Sequence, residues 1–372
     1  MGLGGSRLPP ANQSNRHDMR VVIEATPLSL SSGGLARYTS ELSVALARRF
    51  PQDEFLLTSD QPFVPPASAP GNLQCGAGPR RALERRWWLW GLGREAARWG
   101  ADVIHGPDFA VPYLPLRPSV LTLHDLSPWM DPQWHQSAGR VRRRTPVLLK
   151  LRIPTMIITD SETVRRQAIQ RFHIPPQRIV TVHLAAPSWL RAGETAATCG
   201  AGRPYFLFVG TLEPRKNLLA LVSAWREVRK EHDIELVLAG RRRQDAPQIA
   251  EEPGLRILGE VADEKLAELY AGALAFVFPS LYEGFGLPVL EAMQCGACVI
   301  ASPAVREAGG DAAVYAESQA ELVERMHQVV LQPEWLAKRR ALSVSRAREF
   351  SWDRTAQLTY EVYGEACKRF GR

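Results

Sequence analysis

Two glutamates, Glu283 and Glu291, are separated by seven residues in segment 279–300, PSLYEGFGLPVLEAMQCGACVI. The apolar run Leu274–Phe278 before them predicts a buried strand, and Pro288 suits the first turn of a following helix. A strand, a glycine loop and a helix N-terminus direct backbone N–H groups and a positive dipole at a ligand, which favours an anion. Ionised carboxylates only accept hydrogen bonds, so the glutamates indicate hydroxyl groups on that ligand. Phosphate plus hydroxyls describes a nucleotide sugar, whereas the alternative is an ordinary surface helix with solvated glutamates.

A second candidate is the segment Gly210–Asn217, GTLEPRKN, which follows the predicted strand Tyr205–Val209. Arg215 and Lys216 stand where the next helix begins. Two adjacent cations at a helix start suit a diphosphate, and the alternative is a solvent-exposed turn.

The first half of the chain offers two further candidates. Gly33–Gly34 lies between the predicted strand Arg20–Glu24 and a helical pattern that starts at Leu35, which is a place for close approach of backbone to a ligand. His124 ends the predicted strand Val120–His124. Ligands of open α/β sheets bind beyond the carboxyl ends of the strands, so both positions are functional candidates, although a tight turn and a structural histidine remain the alternatives.

The pattern of strands and helices predicts the fold class. Short apolar runs alternate with helical patterns on both sides of a Pro/Gly-rich stretch, which indicates two doubly wound parallel-sheet domains facing a cleft. The predicted divisions are a disordered leader (1–18), an N-terminal Rossmann-like acceptor-binding domain (19–190), a linker (191–203), a C-terminal Rossmann-like nucleotide-sugar-binding domain (204–355) and a final helix (356–372).

Composition limits the class of protein. The chain has 372 residues, 45% of them hydrophobic, and a net charge of +7. It has no apolar run long enough to span a membrane, and its five cysteines are too irregularly spaced for a disulfide framework. The basic charge suits nucleic acid or an anionic membrane, and since no nucleic-acid motif accompanies it, the membrane is the better expectation.

Two basic segments are candidates for that membrane surface. Arg80–Trp99, RRALERRWWLWGLGREAARW, interleaves arginines with tryptophans. Arg140–Arg144 is a second cluster, which is either a solvated face or a lipid-facing rim. One interpretation of the first segment is a basic aromatic surface on lipid headgroups. The other is a helix that covers the sheet with Trp87 and Trp90 in its core face.

The sequence PSLYEGFGLPVLEAMQCG resembles the signature of retaining glycosyltransferases of family four, the group 1 set with the GT-B fold, and the resemblance extends from about Met19 to Tyr363. Its E-x7-E motif matches Glu283 and Glu291. The resemblance implies that Glu291 holds the donor ribose, while Glu283 and the backbone of Phe285–Leu287 hold sugar hydroxyls. It also implies that the final helix crosses back to the first domain.

Other segments extend the resemblance. TLHDLSPW around His124 is similar to the family's active-site HD segment, and RILGEV (256–261) to the segment whose backbone holds the base. In the phosphate loop Thr211 stands where some relatives have a basic residue, which leaves the share of Arg215 open. The implied catalytic residues are His124, Glu283 and Lys216, and the implied donor-binding residues are Gly33, Gly34, Gly210, Arg215, Lys216, Gly240, Glu283, Gly284, Phe285, Gly286, Leu287 and Glu291.

The resemblance implies hexosyl transfer with retention from a nucleotide-diphosphate sugar to a saccharide or lipid-linked acceptor, in cell-surface polysaccharide or glycolipid assembly. A mannosyl- or rhamnosyl-like group is a guess. The chain has no Asp-x-Asp pair, so neither a metal nor another cofactor is expected. The expected location is cytoplasmic, with peripheral attachment to the plasma membrane left open. The alternatives are a nucleotide-sugar epimerase, a sugar-phosphate synthase, and a non-catalytic membrane-surface binding protein.

Overall fold

The computed structural model describes residues 18–30, 33–134, 138–187, 189–190 and 203–371. The predicted disordered leader and the predicted linker lie outside the described residues, apart from Asp18 and Arg203.

Thirteen strands are found among the described residues, and every strand pairing is parallel. In chain order they are β1 Arg20–Glu24, β2 Glu54–Thr58, β3 Leu73–Cys75, β4 Val103–Gly106, β5 Ser119–Leu123, β6 Met156–Thr159, β7 Ile179–Thr181, β8 Tyr205–Val209, β9 Glu235–Ala239, β10 Leu255–Gly259, β11 Ala275–Phe278, β12 Val299–Ala301 and β13 Val314–Tyr315.

Twelve α-helices connect and cover these strands in the described part of the chain. They are α1 Gly34–Arg49, α2 Leu92–Trp99, α3 Ser127–Met130, α4 Gly139–Lys150, α5 Glu162–Phe172, α6 Leu218–Val228, α7 Asp263–Gly272, α8 Leu287–Gln294, α9 Arg306–Gly309, α10 Gln319–Leu331, α11 Pro333–Ala347 and α12 Trp352–Arg369.

The strands form two sheets with the same winding. The first has the order β3-β2-β1-β4-β5-β6-β7, and the second has the order β10-β9-β8-β11-β12-β13. Both contain the doubly wound order 3-2-1-4-5-6, in which the strand order reverses beside the first strand and leaves a crevice at the carboxyl edge of the sheet. The predicted fold class is therefore confirmed.

Burial on both faces of the sheets explains why the longer strands could be predicted from the sequence. The runs Val21–Ile23, Phe206–Phe208 and Ala275–Phe278 are buried throughout, as expected for parallel strands covered by helices on both sides. Strands β3, β7 and β13 have only two or three residues each, which is too few for a periodic signal, so they were not predicted.

The last helix joins the two halves of the molecule. α12 packs against α1 and against β4, β5 and β6 of the first sheet, and the Phe50 and Tyr360 rings stack with centroids 3.8 Å apart. Although α12 follows the second sheet in the chain, its packing is with the first.

Segment 80–99 is not the single helix that one interpretation described. It is a 3₁₀ turn (Ala82–Arg85), a π-helical turn (Trp87–Gly91) and then α2. Trp87 is buried and its indole N–H donates to Glu24 at 3.1 Å, whereas Trp90 is 36% exposed, so its predicted place in the core was wrong.

Candidate active site

The cleft between the two sheets is lined by two helix N-termini. α1 begins after Gly33 and α8 begins after Gly286, and neither cap position supplies a side-chain hydrogen bond to its helix. The first N–H groups of a helix have no partner within it, so these two ends can donate to an anion. Leu287 and Phe285 are buried, which leaves their backbone as the part that can face a ligand.

Lys216 and Arg215 converge on Glu283. The Lys216 Nζ lies 2.6 Å from Glu283 Oε1, and the Arg215 Nη1 lies 3.1 Å from the same oxygen. All three side chains are buried. Burial alone would raise the pKa of Glu283, but Arg215 and Lys216 outweigh it and lower the pKa to about 2. Glu283 is therefore an ionised acceptor at neutral pH.

A second glutamate completes the charge balance of this cluster. Glu213 Oε1 accepts from Arg215 Nη2 at 2.6 Å, and Glu213 Oε2 accepts from Arg243 Nη1 at 2.5 Å. Arg215 also donates to the carbonyl of Tyr282 at 2.5 Å. Arg215 is held by three acceptors, whereas the Lys216 ammonium is held by a single carboxylate and has further N–H groups to offer.

Glu291 is engaged on both oxygens by residues from both domains. Arg37 on α1 donates to Oε1 at 2.5 Å, and the Tyr270 hydroxyl donates to Oε2 at 3.0 Å. Arg37 also donates to Asp263 at 2.9 Å, so one guanidinium joins the first domain to two helices of the second. Glu291 is only 2% exposed, and a ribose that binds it has to share or displace the Arg37 contact.

Gly210 and Gly240, at the ends of β8 and β9, approach each other closely. A Cβ at Gly240 would lie 2.1 Å from the Gly210 carbonyl oxygen, and the Gly240 φ of +135° is one that other residues rarely adopt. Together they bring two backbone segments close to each other beside Lys216, and the donor-facing position of both glycines stays a prediction.

Gly284 lies against the backbone of the first domain. A Cβ at this position would lie 1.9 Å from the backbone oxygen of His124. The loop that carries Glu283 therefore presses on the first domain, and Tyr282 in the same loop accepts from the Leu126 N–H at 3.1 Å. The structure places Gly284 at a contact between domains.

Both ring nitrogens of His124 face acceptors. Nδ1 lies 2.7 Å from Asp160 Oδ2, and Nε2 lies 2.6 Å from the Pro107 carbonyl oxygen. Both nitrogens can donate only in the imidazolium. Burial alone would lower the pKa of His124, but Asp160 and Pro107 outweigh it and raise the pKa to about 9. His124 therefore suits a fixed positive charge at the cleft better than a proton acceptor.

This pKa gives a prediction for stability against pH. The folded state favours charged His124, so the stabilisation is complete below the ordinary pKa of 6.5 and is lost as the pH rises through about 9. The full effect is on the order of 3 kcal/mol. Between pH 6.5 and 9.5 we expect the melting temperature of the wild type to fall more steeply than that of His124→Gln. Parallel curves for the two proteins would show that His124 is neutral in the folded state.

Glu307 forms another contact between the domains. Its carboxylate accepts from the backbone N–H groups of Glu162 and Thr163, both at 2.7 Å, and so caps α5 of the first domain. Burial alone would raise the pKa of Glu307, but hydrogen bonds from His183, Thr163 and the α5 backbone lower it to about 2. Beside this cap lies a cavity of about 910 Å³, which Glu283, Arg166, Gln167 and Arg306 help to line.

Sequence reasoning missed several residues of the site. Asp160 directly follows β6 at the carboxyl edge of the sheet, so the same rule that selected His124 applied to it as well. Arg37 lies one helical turn after Gly33, so the periodicity of the predicted helix could have placed both on the same face. Tyr270 and Glu213 gave no signal of their own.

Two doubly wound domains that meet across a cleft lined by cations, carboxylates and helix N-termini define the GT-B class of glycosyltransferases. Residues 203–332 match the family model "Glycosyl transferases group 1", and residues 32–187 match the model "Glycosyltransferase Family 4". The chain is 31% identical to "O-antigen chain mannosyltransferase B" of Escherichia coli over 384 residues, covering 93% of this chain and 99% of that protein.

Solved structures agree on the fold. Sucrose-phosphate synthase from Thermosynechococcus elongatus superposes with a TM-score of 0.71 at 18% identity, covering 93% of this chain and 98% of that one. HepE from Anabaena in complex with UDP and glucose gives 0.70 at 16%, covering 94% and 100%. The chain therefore belongs to glycosyltransferase family 4 and is a GT-B glycosyltransferase.

Proposed function

We propose that this glycosyltransferase moves a hexosyl group, with retention of configuration, from a nucleotide-diphosphate sugar to a saccharide or lipid-linked acceptor. The observation that carries the proposal is the buried cluster in which Lys216 and Arg215 hold Glu283 beside the N-terminus of α8. Charged groups are buried at a cost, and a cluster of them at the carboxyl edge of a parallel sheet suits an anionic, hydroxyl-bearing ligand.

The charges of the cluster suggest how the donor is held. Lys216 and Arg215 are balanced by Glu283 and Glu213, so a diphosphate has to compete with Glu283 for the ammonium of Lys216. As Lys216 turns to the diphosphate, the freed Glu283 carboxylate accepts from sugar hydroxyls. The donor thus replaces one ion pair by another, and Arg215, fixed by three acceptors, stays in place.

The chemical step then depends on positive protein groups that lie where negative charge develops on the leaving diphosphate. The diphosphate gains negative charge as its bond to the sugar breaks, and Lys216, the α8 N-terminus and the His124 imidazolium stabilise it. The departing phosphate takes the proton of the acceptor hydroxyl as that hydroxyl attacks from the same face. No side chain is assigned as a nucleophile, and positioning supplies the remaining catalysis.

We propose that these protein groups make a metal unnecessary for the reaction. Glu283, Glu213 and Glu291 are each paired with a cation, and one oxygen of Asp160 is paired with His124, so these four carboxylates are already engaged by protein groups.

Similarity to an O-antigen chain mannosyltransferase supports a mannosyl donor and a role in the assembly of a cell-surface polysaccharide. The 910 Å³ cavity beside Glu283 is large enough for a saccharide and offers Arg166, Gln167 and Arg306 to its hydroxyls.

The test is a product analysis with UDP-, GDP- and dTDP-hexoses, each with a panel of mannose-terminated acceptors. We expect one donor to release nucleoside diphosphate and to give a glycoside whose anomeric configuration, read by NMR, is that of the donor. An inverted product contradicts retention. A new sugar epimer without acceptor, or transfer to a sugar phosphate alone, would instead support the epimerase or the synthase.

A membrane-facing surface is the second part of the proposal. The Arg144 guanidinium lies 5.0 Å from the centre of the Trp88 ring, so the basic segments 80–99 and 140–144 are in contact with each other. Leu83, Trp90 and Val147 are exposed on or beside these segments, by 48%, 36% and 53%. No helix among the described residues combines the length and apolar character needed to cross a bilayer.

This surface gives a prediction. The chain should sediment with anionic vesicles and less with neutral ones, and the binding should weaken as salt rises. Reversing the charge at two exposed positions, by Arg85→Glu with Arg140→Glu, should weaken binding to anionic vesicles at least about tenfold, because each basic residue near an anionic surface contributes roughly 1 kcal/mol. Lys338→Glu with Arg348→Glu, two exposed cations of the second domain, is the matched control. Equal loss in both double variants would show that net charge, and not this surface, draws the chain to lipid.

A further inference from the structure

Among the described residues, one group of three metal-ligating side chains lies close enough together to share an ion, and it is outside the cleft. Glu231, His232 and His327 each place one ligand atom within 4.8 Å of the others. The two imidazole rings meet edge to face with centroids 5.4 Å apart. We infer that these three residues form a binding site for a borderline divalent cation such as Zn²⁺.

The backbone holds two of the ligands in place. Glu231 and His232 follow the end of α6, and the N–H groups of both donate to the Val228 carbonyl at 3.2 Å. His327 projects from α10, which packs along α6 and is anchored by the buried Met326 and Val329. The cation would therefore fasten the end of α6 to α10, with ligands from two separate elements.

One unsatisfied ring nitrogen points to a ligand here. The Nε2 of His232 is buried and has no hydrogen-bond partner within the described part of the chain. An unpaired buried polar atom costs free energy, and a lone pair on a neutral imidazole is what a borderline metal ion binds.

The local charges also favour a cation. Three basic residues surround the group, but each already pairs with a carboxylate: Lys230 with Glu227 at 2.6 Å, Arg203 with Asp233 at 3.2 Å and Arg229 at 3.8 Å with Glu252, which it shares with Arg226. Glu231 takes part in none of the ion pairs found among the described residues, so its carboxylate is the one left to neutralise a bound ion.

The chemistry of the three ligands selects the class of metal. Two imidazoles and one carboxylate leave a fourth position for water, as in many four-coordinate zinc sites, and they suit Zn²⁺ better than Mg²⁺ or Ca²⁺, which prefer oxygen. α6 has 11 residues and is thus about 16 Å long, so the site lies at the opposite end of that helix from Lys216. The ion is a structural link and takes no part in the transfer reaction.

The test is calorimetric titration of Zn²⁺ into the full chain, with any affinity tag removed and bound metal first stripped by chelator. We expect one ion per chain to bind and to raise the melting temperature. His232→Ala and His327→Ala should each weaken binding by at least about tenfold, since even indirect supports of a metal site cost that much. His173→Asn is the matched control, because His173 is exposed at a left-handed position that asparagine accepts.

A second measurement needs no variant. The visible spectrum of the Co²⁺-loaded wild type should show nitrogen and oxygen coordination without a thiolate charge-transfer band. The inference is overturned if no ion binds saturably, if both histidine variants bind as the wild type does, or if a thiolate band places the metal on a cysteine.

Discussion

Replacing Lys216 by Met should lower turnover by at least about a hundredfold, with a smaller change in KM for the donor. Removal of one preorganised donor to a developing negative charge costs on the order of 10²–10³ in rate, because the contact strengthens as the bond breaks. The Met side chain is close to Lys in length and can still pack against the Phe278 ring, whose centre lies 4.8 Å from the Lys216 Nζ. Glu283 keeps its contact with Arg215. Initial rates at several donor concentrations separate kcat from KM.

Three controls make this result specific. Lys265→Met removes an exposed lysine from α7 and should leave turnover unchanged. Lys216→Arg should not restore it, because a forked guanidinium does not fit a space shaped for an ammonium against Glu283. Turnover of the wild type should persist in excess chelator. If chelation abolishes it and magnesium or manganese restores it, a metal and not Lys216 meets the charge of the diphosphate.

The Glu291→Gln variant should bind the donor about 10- to 150-fold more weakly, which corresponds to the loss of one charged hydrogen bond of roughly 1.5–3 kcal/mol. Gln keeps the shape of the side chain and one oxygen that accepts from the Tyr270 hydroxyl. The interactions that are weakened are therefore the hydrogen bond to ribose and the ion pair with Arg37. Calorimetric titration with the nucleotide sugar gives the affinity, and thermal unfolding gives the stability of the same protein.

The Arg37 contact needs its own control, because Glu291→Gln also weakens an ion pair between the domains. Arg37→Met removes that ion pair and leaves the Glu291 side chain itself unchanged. If Glu291 binds ribose, Arg37→Met should retain donor affinity better than Glu291→Gln does. Equal losses would mean that Glu291 acts through domain contact and not on the donor, and Glu264→Gln, an exposed carboxylate of α7, should change nothing.

Secondary structure could be predicted from the sequence where all residues of an element are buried. Strands β1 and β8 were predicted with their observed bounds, since each is an apolar run buried on both faces. Pro288 lies in the first turn of α8 as expected, and Gly296 follows the helix at a φ of +77°, the conformation of a helix stop.

The sequence does not show which segments, far apart in the chain, contact each other in the fold. Arg37 and Glu291 are 254 positions apart, and nothing in either segment indicates that they touch. The segment around His124 resembled an active site, but only the positions of Asp160 and Pro107 show that both ring nitrogens are engaged. In the same way Trp90 shares its local pattern with Trp87, yet a break into three short helical pieces turns it outward.

Calorimetric titration of nucleotide sugars into the wild type, Lys216→Met, Glu291→Gln and Lys265→Met measures whether the cleft beside α8 binds a nucleotide-diphosphate sugar. The proposal predicts saturable binding of one sugar nucleotide per chain by the wild type and Lys265→Met, with about tenfold or greater weakening in the other two. Failure of every UDP-, GDP- and dTDP-sugar to bind, or equal affinity in all four proteins, would contradict it.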